Sequence, residues 1–455
     1  MLGNVESGGL HVGRGGGLYE KLDSVYFFMW PGWRDELESN RWHWSKRWAQ
    51  RLPVVLIQPE LPEGIPGRSA LEARLPNVEI LSVQRTSRNP RHRLTDGLRQ
   101  AGQIAKYMAA RGHQRPLFWF YNPYLVMPFA VLSAKARVFH ATENFFQLNN
   151  LSSEWLDYCR YAIEASDLLA CCSSGVAGEL SRQTRQKNIL TVPNGCDFAK
   201  YSRPCAPQGD WPTKIAKWQA SHPRMAVFAG NINYRLDFGL IERLVDGYPQ
   251  LGFVFAGPLD WENLSAVQRR TWRSLRNKAN VQMLGRIPAE DLPALYARCD
   301  VGIIPYRTDL PLIVENGFPL KTLEMAAAGL PVVASFMRPL GEVSGAVTIA
   351  RDAEAFYAAL PSHSRRMRSE SEHYNTERIC KTYDYDALFE RMAETLAALV
   401  SDIPSRPADL AGLAERIVAR VPMRRRLGAL LVRIHPEIRR KTPRALRTIA
   451  RRWFG

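Results

Sequence analysis

Residues 300–335 read DVGIIPYRTDLPLIVENGFPLKTLEMAAAGLPVVAS. Short apolar runs at 301–305 and 331–334 predict two buried strands. Between them, Pro319 suits the first turn of a helix, where the missing N–H of proline costs nothing, and Gly329 suits its end. A strand, a helix and a strand in this order predict a unit of parallel α/β sheet.

The same alternation runs through most of the chain and predicts two doubly wound sheets. The predicted strands of the first half are 25–29, 53–57, 78–83, 117–121, 137–141, 168–173 and 189–192. Those of the second half are 225–229, 253–256, 281–284, 301–305, 331–334 and 347–350. We therefore expect a leader at 1–20, a first domain at 21–203, a linker at 204–224, a second domain at 225–375, a helix returning to the first domain at 376–401, and a tail at 402–455.

Composition excludes several classes of protein. The chain has 455 residues, of which 46% are hydrophobic and 23% charged, as in a globular protein with a full core. Wholesale disorder, collagen-like repeats and a coiled-coil rod are excluded. The seven cysteines form no C-x-x-C pair, so neither a disulfide scaffold nor a zinc site is indicated, and a reducing compartment is expected.

The positive charge is concentrated at the C-terminus. The net charge is +17, and residues 416–455 contain 13 Lys and Arg against one acidic residue, Glu437. Apolar residues share faces of the predicted tail helices, and Trp453 lies near the end. Such a pattern at 402–455 predicts binding to an anionic membrane surface. A helical tail packed on the body is an alternative; nucleic-acid binding is disfavoured because the body is nearly neutral.

Two segments imitate other signals. Gly15, Gly16 and Gly17 resemble a phosphate loop, but no strand precedes them, so a flexible leader is expected. Residues 116–134 run 19 positions without a charge, which is long enough for a transmembrane helix. Three prolines interrupt this run, and we therefore expect a strand, a turn and a buried helix.

The helix after Pro319 begins beside the carboxyl end of a parallel strand, where such sheets bind ligands. Its free N–H groups and dipole suit a phosphate, and Lys321 in the first turn suits a shared anion. Glu324 lies on the same face and can accept hydrogen bonds from a ribose. The alternative is a Lys321–Glu324 ion pair on an ordinary surface helix.

With its surroundings, this stretch resembles the donor-site signature of the group 1 retaining glycosyltransferases, which have the two-domain GT-B fold. The matching segments, in the expected order, are 192–198 (VPNGCDF), 228–237 (FAGNINYRLD), 281–287 (VQMLGRI), 319–333 (PLKTLEMAAAGLPVV) and 384–386 (DYD). The resemblance covers about residues 20–400. It implies an α/β, GT-B chain of two Rossmann-like domains facing each other across a cleft, followed by a helical tail.

The resemblance also implies roles on the donor side. The implied donor-binding residues are Lys321 and Arg235 for the diphosphate, Glu324 for the ribose, Gly285 and Arg286 for the base, and Gly230 and Gly317 for close backbone approach. An Arg235–Asp237 loop ion pair and a plain turn at Gly230 remain alternatives. The family's Glu-x7-Glu pattern departs here: Asn316 stands eight positions before Glu324, with Glu315 beside it.

The first domain is expected to bind the acceptor. Trp30 and Trp33 follow the first strand, and Arg41 and His43 match an R-x-H element of the family's relatives. The aromatic residues suit sugar stacking, and equally suit packing. Glu143 falls where similar enzymes have an acidic residue, so it is the preferred general base or oxocarbenium support.

His140, at the end of a predicted strand, is the rival catalytic candidate, although such a histidine is equally suited to a structural role. No Asp-x-Asp element stands on the donor side, so we expect metal-independent chemistry without a cofactor. The sequence thus predicts a hexosyltransferase that uses a nucleotide-sugar donor and a saccharide acceptor, the acceptor being lipid-linked, in cell-surface polysaccharide synthesis.

The predicted location is the cytoplasmic face of the cell membrane, with no nucleic-acid partner. Retention of configuration follows the resemblance, and an inverting glucuronosyltransferase type is the nearest alternative. A nucleotide-sugar 2-epimerase needs more histidine and acidic residues in the cleft than His140 and His43 supply. An inactive membrane scaffold is the non-enzymatic alternative.

Overall fold

The computed structural model describes residues 17–29, 38–59, 75–84, 90–121, 125–147, 152–203, 205–364, 369–400, 404–408, 410 and 413. The predictions made for the leader before residue 17, for Trp30 and Trp33, and for the basic tail beyond residue 413 lie outside these residues.

The first sheet has seven parallel strands among the described residues, in the order β3-β2-β1-β4-β5-β6-β7. They are β1 (Ser24–Phe28), β2 (Val54–Pro59), β3 (Val78–Val83), β4 (Pro116–Phe120), β5 (Ala136–Ala141), β6 (Leu168–Cys171) and β7 (Ile189–Thr191). The central strand β4, with the sequence PLFWF, is buried at every position, because helices cover both faces of a parallel sheet.

Most helices of the first domain connect these strands, while the first precedes β1 and the last follows β7. They are α1 (Leu18–Lys21), α2 (Asn40–Ala49), α3 (Pro90–Arg111), α4 (Val126–Val131), α5 (Ser153–Glu164), α6 (Ser174–Gln183) and α7 (Phe198–Tyr201). Ser152 and Ser173 begin α5 and α6 by accepting hydrogen bonds from backbone N–H groups with their side chains. Residues 116–134 form β4 and α4, and no helix in the described part of the chain is long and apolar enough to cross a bilayer.

The second sheet has six parallel strands in the described residues, in the order β10-β9-β8-β11-β12-β13. They are β8 (Arg224–Ala229), β9 (Leu251–Ala256), β10 (Val281–Gly285), β11 (Val301–Ile304), β12 (Val332–Ser335) and β13 (Thr348–Ala350). Its helices are α8 (Trp211–Ser221), α9 (Phe238–Gly247), α10 (Ala266–Leu275), α11 (Leu292–Ala297), α12 (Pro311–Asn316), α13 (Leu320–Ala327) and α14 (Ala353–Ala359). Every strand predicted from the sequence is present, with ends displaced by no more than two residues.

Part of the segment predicted as a linker belongs to the second domain. Residues 211–221 form α8, and Trp211 on this helix is buried and donates a hydrogen bond from Nε1 to Asp291 Oδ2 at 2.7 Å. Ile215 is also buried, one helical turn later. The proline-rich composition of the segment hid this i, i+4 spacing.

The chain finally returns to the first domain. After α15 (Glu370–Thr382), helix α16 (Tyr385–Leu399) packs Phe389 against Trp44 and Trp48 of α2. Beyond it, Arg406 pairs with Ala134 by two backbone hydrogen bonds of 3.0 Å. Leu410 and Leu413 are buried in the first domain. The start of the predicted tail therefore lies against the first domain.

The carboxyl ends of the two sheets face each other. Glu143 follows β5 in the first domain and contacts Arg235, which follows β8 in the second. Ser173 follows β6 and donates a hydrogen bond to the carbonyl of Asn316 at 3.0 Å. This arrangement of two Rossmann-like domains confirms the predicted GT-B fold, and it places a cleft at both carboxyl edges.

Candidate active site

Three glycines end adjacent strands on the second-domain side of the cleft. Gly230, Gly257 and Gly285 follow or end β8, β9 and β10, with φ values of +144°, +145° and +69°. The backbones are in close contact: a Cβ on Gly257 would lie 2.0 Å from the carbonyl oxygen of Gly230. Glycine adopts these conformations at the least cost, and the edge presents bare backbone to the cleft. Arg286, beside Gly285, is exposed.

Lys321 lies over this glycine edge. Its Nζ donates a hydrogen bond to Tyr306 Oη at 2.9 Å and lies 4.8 Å from the centre of the Phe228 ring. A Cβ on Gly230 would come within 2.5 Å of Nζ, so glycine is what leaves room for the lysine side chain. Within the described residues no carboxylate oxygen lies within 4.0 Å of this nitrogen, which leaves the cation with neutral partners.

The helix that carries Lys321 is positioned by the first domain. Phe318, just before α13, accepts a hydrogen bond at its carbonyl from Asn194 Nδ2 at 2.7 Å. Asn194 in turn accepts one from Asn40 Nδ2 at 2.9 Å. Gly317 ends α12, where a Cβ would lie 2.5 Å from the carbonyl oxygen of Ile313. The N-terminus of α13 is therefore fixed beside the carboxyl end of β11, with its free N–H groups available to an anion.

Glu324 lies one turn further along α13 and is only 8% exposed. Burial raises its pKa to about 7, against the opposing effects of Lys200, of a hydrogen bond from Tyr201 and of Lys321. A surface pair of Lys321 with Glu324 is therefore not what the structure contains. The carboxyl group is instead held in the interior, close to its midpoint of ionisation at neutral pH.

Arg235 makes an ion pair across the cleft. Its Nη2 donates to Glu143 Oε1 at 2.8 Å, and both side chains are about one-third exposed, at 34% and 37%. Asp237, the alternative partner, instead caps α9 by accepting from the N–H of Leu240. The structure thus brings Arg235, which is predicted to bind the diphosphate, into direct contact with Glu143, the predicted catalytic carboxylate.

The position eight residues before Glu324 is polar but carries no charge. Asn316 is 5% exposed and donates from Nδ2 to Gln147 Oε1 at 3.0 Å, so it lies between the domains. Glu315 points elsewhere and binds Arg338 through two hydrogen bonds of 2.6 and 3.2 Å. The end of α12 therefore places the amide of Asn316, and not the carboxylate of Glu315, at the cleft.

The two predicted histidines of the first domain are interior residues. His140 is 0% exposed, packs against Trp44, Trp119 and Tyr121, and has a pKa lowered by burial to about 3. His43 is 2% exposed and stacks on Tyr385 of α16 at 4.0 Å.

Burial also lowers the pKa of His43 well below its usual value. Arg41 is half-buried in the first turn of α2. The structure does not bring His140, His43 or Arg41 together with Lys321, and their predicted roles remain predictions.

Several residues of this site were missed from the sequence. Gly257 was detectable, because the tetrapeptide VFAG occurs twice, ending at Gly230 and at Gly257. Tyr306, Lys200 and Tyr201 surround Lys321 and Glu324 from other parts of the chain. No local pattern marks these three, because only the folded chain brings them together.

Comparisons with known proteins agree with this architecture. Residues 226–363 match the family model of the glycosyl transferases group 1. The "putative teichuronic acid biosynthesis glycosyltransferase TuaH" of Bacillus subtilis (strain 168) is 27% identical over 173 residues, which is 38% of this chain and 41% of that protein. This chain thus spans less than half the length of that curated relative.

Two solved structures share the fold at low identity. The sucrose-phosphate synthase of Thermosynechococcus elongatus superposes with a TM-score of 0.61 at 15% identity, covering 83% of this chain and 99% of that one. Anabaena Alr3699/HepE, in complex with UDP and glucose, superposes with a TM-score of 0.60 at 16% identity, covering 83% and 100%. Residues 226–363 of the second domain thus match the glycosyl transferases group 1, within a chain that has the GT-B fold.

Proposed function

We propose that this protein is a glycosyltransferase that moves a hexose from a nucleotide-sugar donor to a saccharide acceptor. The observation that carries the proposal is Lys321: its cation lies at the glycine edge of the second sheet, with Tyr306 and Phe228 as neutral neighbours. A half-buried cation beside a helix N-terminus suits a diphosphate.

In this proposal the second domain binds the donor. Lys321 and the N–H groups of α13 hold the diphosphate, and Arg235 moves from Glu143 to the phosphate when the donor enters. These charges stabilise the nucleoside diphosphate as it departs with the electrons of the broken glycosidic bond. With two cationic side chains and a helix dipole at the leaving group, the reaction needs no metal ion.

Glu324 is the proposed ribose ligand. Its pKa of about 7 means that a modest stabilisation by two hydroxyl donors shifts it to the ionised form. The base lies at Gly285 and Arg286, the end of β10. Gly230 and Gly317 allow the backbone to approach the donor.

Glu143 is the proposed catalytic carboxylate, since it lies at the end of β5 and reaches across the cleft. Once Arg235 has moved to the donor, Glu143 accepts the proton of the attacking hydroxyl or supports positive charge on the sugar ring. Retention of configuration remains the expectation.

The acceptor is proposed to be a lipid-linked saccharide at the inner face of the cell membrane. The basic tail, which begins against the first domain, supports this proposal. So does the similarity to a protein named as a putative teichuronic acid biosynthesis glycosyltransferase.

The test is binding and hydrolysis of UDP-, GDP- and dTDP-sugars by the purified chain. UDP-glucose comes first, since one structural neighbour holds UDP and glucose. Wild type is compared with Lys321→Ala and Glu324→Ala, and with Lys381→Ala, a surface lysine on α15 paired with Glu377, as the matched control.

We expect one donor to bind selectively, with both site variants defective and the control normal. If no donor binds, or if the site variants bind and hydrolyse donors as wild type does, the inactive-scaffold alternative is favoured over the enzyme.

A further inference from the structure

Helix α10 and the loop before it form an unusual surface of the second domain. The α10 surface, as we name it, consists of Leu259, Trp261, Val267, Arg270, Arg273 and Arg276. It contains none of the residues assigned above to the donor or the acceptor.

The charge of helix α10 itself has one sign, whereas the loop before it carries Asp260 and the exposed Glu262. Residues 265–278, SAVQRRTWRSLRNK, contain five Lys and Arg and no acidic residue. Lys278 pairs with Asp246 at 2.6 Å, but no ion pair to Arg270, Arg273 or Arg276 occurs within the described residues. The three guanidinium groups thus add their charges on one exposed helix.

Apolar side chains are exposed on the same unit. The exposed large hydrophobic residues of the described chain are Val267 at 65%, Leu259 at 37% and Tyr374. Two of these three belong to the α10 surface. Trp261, in the same loop as Leu259, is half-buried, with the guanidinium carbons of Arg269 and Arg273 at 5.5 and 4.8 Å from its ring centre. Isolated exposed apolar residues are common, but their concentration beside uncompensated arginines is not.

The surface adjoins the cleft. Asp260, next to Leu259, donates its N–H to the carbonyl of Ile232 at 3.0 Å. Gln268 on α10 donates from Nε2 to the carbonyl of Tyr234, the residue before Arg235, at 3.4 Å. The loop that bears Arg235 therefore connects the α10 surface to the proposed donor site.

We propose that the α10 surface is a membrane-contact site that binds anionic phospholipid bilayers. Arginines attract the anionic headgroups, while Val267, Leu259 and Trp261 enter the headgroup boundary. An acidic polysaccharide would use the arginines but would leave the two aliphatic side chains without a role, so the lipid surface fits better. The contact is separate from the basic tail and orients the mouth of the cleft toward the bilayer.

The first test is cosedimentation of the full chain with phosphatidylglycerol vesicles and with phosphatidylcholine vesicles. At about 1 kcal/mol for each basic residue near an anionic surface, Arg270→Gln, Arg273→Gln and Arg276→Gln together should weaken binding to the anionic vesicles roughly a hundredfold. The double variant Leu259→Ser, Val267→Ser should weaken it by a smaller factor, about tenfold.

The matched control removes an exposed apolar and an exposed basic side chain from another helix. Tyr374→Ser with Arg378→Gln on α15 should leave vesicle binding unchanged. Unchanged vesicle binding in the triple arginine variant would overturn the proposal. So would a triple arginine variant that no longer binds soluble polyglucuronate but still binds the vesicles.

A second measurement reports where the bilayer touches. Val267→Cys in a Cys205→Ser background carries an environment-sensitive fluorophore; Cys205 is the exposed native cysteine, and the other six are buried. Anionic vesicles should shift its emission to the blue, while the same label at Tyr374→Cys should not respond. Equal responses at both positions would contradict a specific contact at α10. Neither measurement uses a donor, so failure here leaves the proposed activity untouched, and failure of donor binding leaves this surface untouched.

Discussion

The carboxyl edges of the two sheets are built in opposite ways. The second-domain edge is open: Gly230, Gly257 and Gly285 expose backbone, and a lysine without a carboxylate partner in the described residues lies above them. In the described part of the first domain, the predicted site residues His140 and His43 are instead buried among aromatic rings. An edge with bare backbone and a poised charge suits an anionic ligand, whereas a packed aromatic edge suits a rigid support.

The contrast also explains how the first domain contributes to the site. It supplies contacts through its loops: Asn194 bonds to the backbone before α13, and Glu143 pairs with Arg235. The first domain thus positions the donor helix and places a carboxylate at the cleft.

We expect the largest effect from removing the charge at the open edge of the second domain. Lys321→Ala should lower kcat/KM by about 10²–10³-fold, because the departing diphosphate loses its nearest cation. Thermal unfolding should change little, since the lysine makes one hydrogen bond to Tyr306. Steady-state kinetics at saturating acceptor measure kcat/KM for Lys321→Ala and for the Lys381→Ala control. An equal loss of kcat/KM in both variants would contradict a specific role of Lys321.

The next variant changes the same edge while residue 321 stays a lysine. In Gly230→Ala the new Cβ meets Lys321 Nζ at 2.5 Å, and the residue must adopt a φ of +144°. Donor affinity should fall by at least tenfold although Lys321 is intact, and stability should fall by about 1–3 kcal/mol. Gly239→Ala, whose Cβ would meet Asp237 Oδ1 at 3.5 Å, is the control for adding a methyl group. Normal donor affinity in Gly230→Ala would show that the glycine serves only as a turn.

The buried carboxylate of Glu324 makes the stability of the chain depend on pH. Burial raises the pKa of Glu324 from its ordinary 4.5 to about 7, so between these values the folded chain keeps a proton that the unfolded chain has lost. The free energy of unfolding therefore falls as pH rises from about 4.5 to about 7, by up to roughly 3 kcal/mol.

Glu324→Gln cannot titrate and should lose this dependence. Urea denaturation of both chains at pH 5 and pH 8 measures the difference, with the exposed Glu262→Gln as control. A pH dependence in Glu324→Gln equal to that of wild type would contradict the buried proton.

The smallest effect concerns the ion pair across the cleft. Glu143→Gln releases Arg235, which should tighten UDP binding by about two- to fivefold, the amount expected of a pair that is one-third exposed. Calorimetric titration of UDP measures the affinity, and turnover measured on the same preparation should fall. Weaker UDP binding in this variant would mean that Glu143 does not compete with the donor.

The strands and the donor helix were predictable because their signals are local. The runs of apolar residues mark every strand, and Pro319 to Gly329 marks α13 and its end. Helix α8 was missed because its buried Trp211 and Ile215 lie in a segment rich in proline and charge.

For the charged part of the site, the sequence predicted which residues take part but not which of them are in contact. Lys321, Arg235 and Glu324 were identified from the sequence. The Glu143–Arg235 pair was not, because it joins two domains through residues that lie 92 positions apart in sequence. The burial of His140 depends on Trp44, Trp119 and Tyr121, which come from other elements. Such contacts follow from the docking of elements, which residue spacing does not encode.

The most direct test of the donor site is a crystal structure of the chain with UDP. We expect a diphosphate hydrogen-bonded to Lys321 Nζ and to the first N–H groups of α13, with Arg235 turned from Glu143 to a phosphate oxygen. A diphosphate bound elsewhere, with Lys321 still on Tyr306 and Arg235 still on Glu143, would contradict it.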